Sequence, residues 1–402
     1  MTADAERGSR QNRIADVITE YSAVKRLPTS PGEQAVATSL VARFTALGLP
    51  ARLETVTATS SYALPIGLLS AIGIAAGAMG IVGGVLRWAA VAVAILAAAA
   101  IADDVAGGAR WFRRIAIPRR QAYNVVVETG DPQAGRTVVV LTHHDAAPSG
   151  VIFDQRPMRW IARHLPKLIA MAKTSPPLWW PVIGAPLVVA AGAAAGLIWL
   201  SLTGMALCLI NVLVMVDIGR RDSVPGANDN LSGVAAMLGV AQAIQEQPVA
   251  GVRLILLSAG AEEALQEGIR GFARLHFADL GPQTWFVNLE SVGSGNLALL
   301  EGEGPVLMCD YQAEFKDLAS ACAAELDIPL TRGLRSRNST DSEVPRRHGF
   351  PVATIVSLDG DKLIPHYHQD TDTVEHVDLD SVDDAARLAE AIIRRVADPR
   401  PA

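Results

Sequence analysis

The sequence predicts an α/β protein whose mixed central sheet carries helices on both faces and is interrupted by two transmembrane helical hairpins. Three observations lead there. Strand and helix signals alternate along most of the chain, two long apolar blocks break the alternation, and acids and histidines gather where strands end. The chain has 402 residues, 50% apolar and 19% charged, with a formal net charge of −6. So much apolar side chain excludes global disorder, and the mild acidity speaks against a nucleic-acid partner, which needs a basic face. Arginine outnumbers lysine 30 to 5, so a single arginine says little here. The three cysteines (Cys208, Cys309, Cys322) form no CxxC pair, so neither a disulfide framework nor a cysteine zinc site is expected. A mean hydropathy of +0.27 points to a membrane.

In chain order, the first 60 residues are polar and charged, and no cleavable signal peptide is expected. Ser30-Pro31-Gly32-Glu33 reads as a capping box with proline at the first helical position, opening a helix to about residue 46 that Gly48 ends. A strand follows at 52–57. Residues 64–86 hold 23 uncharged positions, Arg87 interrupts, and 88–102 add 15 more. This predicts hairpin 1 over 63–102, turning near 83–87. Strands at 124–128 and 137–141 come next. Over 158–173, Arg159, Arg163, Lys167 and Lys173 alternate with Trp160, Ile161, Leu165 and Leu168, the pattern of an interfacial helix or of an ordinary surface helix, with Pro166 inside it. Residues 174–216 are 43 positions without a charge, which soluble cores seldom contain. They predict hairpin 2 over 175–217, turning near 201–204. Small residues at helical spacing (Gly73/Gly77, Gly80/Gly84, Gly192/Gly196) suit close helix packing, and Trp179, Trp180 and Trp199 suit the interfaces. Beyond the hairpins come a helix at 232–245, a strand at 252–257, helical signals at 266–279, strands at 284–289 and 296–300, a helix at 312–326, a strand at 352–356 and a helix at 381–396.

The soluble part is thus one domain in three pieces, 1–62, 103–174 and 218–402, with the hairpins inserted. Arg110, Arg113, Arg114, Arg119, Arg120, Arg220 and Arg221 flank the apolar blocks on the side of this domain, whereas the turns hold only Arg87. The positive-inside rule therefore predicts a multi-pass plasma-membrane protein with its soluble domain in the cytoplasm.

The chemistry-bearing residues follow the strands. His143-His144-Asp145 comes after 137–141, and Gly226-Ala227-Asn228-Asp229-Asn230-Leu231-Ser232-Gly233 opens a helix. Glu262-Glu263 follows 252–257, Glu290 ends 284–289, and Tyr367-His368 precedes Asp372-Thr373. Open α/β sheets place their sites at such strand ends. Two histidines with three carboxylates suit zinc, a bridging carboxylate allows two ions, and of paired glutamates one can bind metal while its neighbour acts as general base.

These five segments, in this order, resemble the zinc exopeptidase family of bacterial leucyl aminopeptidase, aminopeptidase Y and glutamate carboxypeptidase II. The family pattern is H-x-D after a strand, G-A-x-D-x-x-S-G, an E-E pair, an acid after the next strand and a late H-x-x-x-D-T; the stretch 26–49 is also similar to the family's start. The resemblance implies two zinc ions per chain, with His143 and Glu290 completing one, Glu263 and His368 the other, and Asp229 bridging. It makes Glu262 the general base and Asp145 the residue that orients His143, and it brings in Asp372 as a further support of the site. Glu290 stands where most relatives have Asp, the segment 264–271 is longer than usual, and the apolar blocks are foreign to the secreted members. His144 is expected outside the site, and His368 is favoured over His366 by its spacing to Asp372. Asp341 reads equally as a substrate neighbour or a turn, and Tyr367 reads mainly as packing.

The expected function is a membrane-anchored zinc exopeptidase, an aminopeptidase acting on peptides, with a lipid bilayer as its other partner. A glutaminyl cyclase or amidohydrolase of the same fold, and a catalytically inactive membrane scaffold, are the alternatives. A homo-oligomer is compatible with the sequence but not required by it.

Overall fold

The computed structural model describes residues 3–398. Helices α1 (Ala3–Ser22) and α2 (Pro31–Ala46) precede the edge strand β1 (Ala51–Ala58). Ser30 caps α2 by accepting the Glu33 amide at 3.2 Å, and Glu33 reaches back to the Thr29 amide, close to the reciprocal capping box expected. The α1 helix was not legible as such; Ile14, Val17, Ile18 and Tyr21 recur at helical spacing and are buried.

The sheet is built from β1, β2 (Arg120–Gly130), β3 (Thr137–His143), β4 (Arg253–Ala259), β5 (Thr284–Glu290), β6 (Asn296–Leu299) and β10 (Val352–Leu358). Its order is β1-β2-β4-β3-β5-β10-β6. The four central strands β4, β3, β5 and β10 are parallel, with antiparallel pairs at both edges. All seven residues of β3 are buried, as a strand covered on both faces requires. A small second sheet joins β7 (Gly302–Glu303), β8 (Cys309–Asp310) and β9 (Arg335–Ser336). One face of the main sheet packs a core with α1, α2, α10 (Gly233–Glu246), α12 (Ala313–Glu325) and α14 (Leu379–Ala397); α11 (Glu267–His276) and α13 (Glu343–Arg347) cover the other. The four parallel strands all end on one side, and that side carries the site.

The apolar blocks form helices α3 (Ala63–Val82), α4 (Leu86–Val105), α8 (Trp179–Ala195) and α9 (Ile198–Arg220), which pack on one another as a bundle. Three of them, α3, α4 and α9, are long and apolar enough to cross a membrane. With 17 residues and Pro186 inside it, α8 is shorter than a full span. The expected turn near 201–204 lies earlier, at Gly196, whose φ of 69° is left-handed. Nothing but a glycine punctuates this uniformly apolar stretch, and Gly204 has a different task. A Cβ there would meet the Val189 amide nitrogen at 2.5 Å, so Gly204 is where α9 closes on α8.

The segment linking the two apolar blocks carries α5 (Trp111–Ala116), α6 (Arg156–His164) and α7 (Pro166–Met171). The single interfacial helix over 158–173 is instead two short ones, broken at Leu165 because Pro166 can begin a helix but not continue one. Lys362 donates to the carbonyls of Ile169, Ala170 and Ala172 at 2.9–3.0 Å and so closes the end of α7. The inner end of the bundle shares a cluster with the soluble domain, in which Tyr62, Ile66, Ile101 and Met215 pack with Phe153, Leu265 and Val306.

Candidate metal centre

Three parallel strands deliver the centre. His143 is the last residue of β3, Glu290 the last of β5, and Glu262 and Glu263 sit in the short turn after β4. Asp229 comes from the turn before α10, and His368 from the loop after β10. The Nε2 atom of His143 lies 3.3 Å from Glu290 Oε1 and 3.4 Å from Asp229 Oδ1. On the other side, His368 Nε2 lies 3.3 Å from Glu263 Oε2 and 3.4 Å from Asp229 Oδ2. Asp229 therefore turns one oxygen to each histidine.

The donor set fits zinc. Two atoms bound tetrahedrally at about 2.0–2.1 Å from one zinc stand roughly 3.3 Å apart, the separation seen in both groups. Buried Asp229 Oδ2, Glu263 Oε1, Glu290 Oε2 and His368 Nε2 have no hydrogen-bond partner, a cost that a cation removes.

The residues around these side chains hold their main chain. Asp145 accepts the Glu262 and Glu263 amides at 3.1 and 3.0 Å and lies 3.4 Å from His143 Nδ1. Asp372 does the same for the Asn228 and Asp229 amides at 2.8 and 3.0 Å. Asn230 donates to Leu289 and Thr142 and accepts from Ser291, tying this turn to β3 and β5. Gly233 is required because a Cβ would lie 2.5 Å from the Leu289 carbonyl oxygen and Thr142 Oγ1.

Two supports were missed in the sequence. Arg26, fully buried, donates to the carbonyls of His144, Tyr21, Pro225 and Gly226 at 2.6–3.3 Å. It joins the end of β3 to the turn that presents Asp229, but arginine is too common in this chain to mark it out. Gln266 donates to Glu262 Oε1 and to the Ser339 carbonyl, both at 3.1 Å; no sequence signal singled it out.

His144 points away, its Nδ1 2.9 Å from Ser258 Oγ, and burial lowers its pKa to about 4. His366 bonds Thr371 at 2.7 Å at the exposed side of the loop. Tyr367 stacks on His368 at 3.9 Å, and Phe153 packs on the same imidazole at 4.4 Å. Asp341 is fully buried, and both its oxygens lack partners.

Burial pushes the Glu262 carboxyl well above the carboxylate range against the pull of His143, and Asp341, Glu263 and Glu290 push the same way as burial. Burial likewise raises Glu263 and Glu290. Burial would lower His368, but Glu263 and Asp229 outweigh it and lift it to about 10. Burial would raise Asp229, but the two histidines 3.4 Å from its oxygens outweigh it and hold it below its ordinary range. Without a cation this centre holds its protons tightly.

Residues 214–393 match the model of peptidase family M28, a stretch that includes Asp229, Glu262, Glu263, Glu290, His368 and Asp372 but not His143 or Asp145. No curated protein matches the sequence. Among solved structures, a Tannerella forsythia glutaminyl cyclase is similar with a TM-score of 0.57 at 14% identity, over 96% of this chain and 98% of its own. A Zn-dependent exopeptidase from Parabacteroides distasonis gives 0.54 at 13%, over 97% and 98%. A leucine aminopeptidase precursor from Bacteroides thetaiotaomicron gives 0.55 at 12%, over 96% of each chain. These likenesses establish the fold.

Proposed function

We propose that this chain is a membrane-anchored exopeptidase, an aminopeptidase, holding two zinc ions on a bridging Asp229. The observation that carries the reading is the pair of oxygens of Asp229, each facing a different histidine with its own glutamate. His143 and Glu290 would complete one ion's ligands, and His368 and Glu263 the other's. Zinc held there would supply a Lewis acid to activate water and polarise the scissile carbonyl. Glu262 is not needed as a ligand, and Gln266 fixes its carboxylate. It takes the proton of the attacking water and returns it to the leaving amine. Asp145 and Asp372 keep the ligand-bearing turns in place.

The bundle supports membrane anchoring. Ile95, Leu96, Leu202, Ile210, Leu213 and Val216 are exposed on its outer surface, a display that water does not tolerate over such an area. The arginines flanking it favour a cytoplasmic catalytic side in the plasma membrane. Along α6, α7 and the break between them, Trp160, Leu165, Leu168 and Met171 are more than half exposed beside Arg163 and Lys167, which suits an interfacial segment.

The glutaminyl cyclase neighbour favours a second reading, cyclisation with one zinc. Metal analysis of the purified full-length protein, together with digestion of a peptide library read by mass spectrometry, separates the two. About two zinc per chain with stepwise trimming of amino termini is the expected result. One zinc with pyroglutamate formation would replace it with the cyclase reading, and neither metal nor turnover would leave an inactive scaffold.

A further inference from the structure

Away from the metal centre, a cavity of about 460 Å³ opens between β1, α5 and α11. Six arginines line it: Arg110, Arg113, Arg114, Arg119, Arg270 and Arg274. Glu267 is the single carboxylate in the lining. Arg113 is matched by Asp104, which it grips with two bonds of 2.7 and 2.8 Å, and Arg110 by Glu267 at 2.8 Å. Arg114, Arg119, Arg270 and Arg274 have no carboxylate within ion-pair distance among the described residues.

Two of these guanidinium groups are buried with donors unused. Arg110 is 4% exposed, yet its Nη2 has no partner; Arg270 leaves both Nε and Nη2 unpaired. Burial lowers Arg270 to about 10, and the charges of Arg347 and Arg113 add to that against Glu267. Buried donors and crowded like charges are costly unless something supplies acceptors and negative charge. Thr55, Thr57 and Thr59 complete the wall, and the Thr59 hydroxyl accepts from Arg113 at 3.0 Å.

We propose that this cavity is a binding site for a phosphate-bearing anion, gripped by the unpaired donors of Arg110 and Arg270 with Arg114, Arg119 and Arg274 around it. Guanidinium forks match phosphate oxygens in pairs, and a fixed cluster of them selects phosphate over a monovalent halide. The cavity has room for a group attached to the phosphate. Its neighbour α5 exposes Trp111 (43%) and Ile115 (84%) directly after the apolar α4, the setting of a lipid headgroup. That source rests on the membrane reading above; a free phosphate does not, and the binding site needs neither the zinc nor the peptidase activity.

The test uses the full chain in a neutral detergent and in nanodiscs. Inorganic phosphate is titrated calorimetrically at constant ionic strength into the wild type and into Arg270→Gln/Arg274→Gln, two side chains without ion pairs. In parallel, native mass spectrometry follows lipid retained from nanodiscs of phosphatidylcholine with or without phosphatidylglycerol. The expected result is saturable binding of one anion per wild-type chain, weakened roughly tenfold per guanidinium lost. Retention of phosphatidylglycerol by the wild type and not by the variant assigns the headgroup as the source; phosphate binding without lipid retention assigns a free anion. If the double variant melts early, Arg119→Gln, whose side chain is exposed, takes its place. Absence of saturable binding for both probes, or equal binding by variant and wild type, overturns the proposal.

Discussion

Asp145 accepts the main-chain amide of Glu262 at 3.1 Å, and its remaining oxygen takes the amide of the next residue. One carboxylate just beyond β3 thereby sets the turn from β4, and the same carboxylate lies against His143. Asp145→Asn keeps the size but turns an acceptor into a donor facing an amide. Zinc affinity is expected to fall about 10–100-fold, the usual loss when a ligand's support is removed. Competition with a chelator of known strength measures it, and unchanged affinity would leave Asp145 a purely structural residue.

Glu262→Gln is expected to keep its zinc and lose roughly 10²–10⁴-fold in turnover, because the amide still hydrogen-bonds water but cannot take its proton. Glu263→Gln should lose zinc, since a neutral amide is a poor replacement for a ligand carboxylate. Metal content and turnover measured side by side on both variants decide which glutamate has which role.

Zinc affinity should rise with pH. In the metal-free centre His368 holds its proton up to about 10, so zinc must displace it, and binding strengthens about tenfold per pH unit for each proton released. The stability of the metal-free protein runs the other way. A histidine raised from 6.5 to about 10 contributes stability that is complete below 6.5 and lost as pH climbs through 10. Asp372, raised from 3.8 to about 7 by burial, also costs stability as pH climbs across that interval. Chelator-treated protein should therefore melt lower at pH 9 than at pH 6. A zinc titration with a flat pH response would contradict this.

Arg26→Lys retains the charge but cannot reach several carbonyls at once. The loss of buried charged hydrogen bonds should cost ~2–4 kcal/mol, seen as a lowered Tm, with zinc occupancy falling as the Asp229 turn loosens. A Tm within a degree of the wild type would show that water replaces the guanidinium without cost.

Gly204→Leu should break the contact of α9 with α8, where even a Cβ collides with the Val189 amide. Protease resistance of the bundle in detergent reports it, against Gly184→Leu as the control, where a Cβ meets nothing within 4 Å. Equal resistance of the two variants would mean that the helices part without consequence.

The sequence marked the residues that the fold gathers, because several stand at or just beyond strand ends where little but chemistry keeps an acid or a histidine buried. His143, Asp229, Glu262, Glu263, Glu290 and His368 all converge within a few ångströms. Asp341 was readable only as a turn or a substrate neighbour, and its burial beside Glu262 comes from packing of distant segments. Arg26 and Gln266 escaped for the same reason, since their partners lie far along the chain or on main-chain atoms that leave no mark in sequence. The apolar blocks announced helices, but a uniformly apolar run gives no register, and the turn at Gly196 could not be told from the packing glycine at 204.

The cluster that Tyr62, Ile66 and Met215 form with Phe153, Leu265 and Val306 has an engineering consequence. Leu265 follows the glutamate pair by two residues, and Phe153 rests on His368. On the proposed membrane-anchored reading, cutting out the hairpins would strip the wall on which these side chains lean and leave an apolar seam beside the metal centre. A soluble derivative would need that seam rebuilt with polar residues.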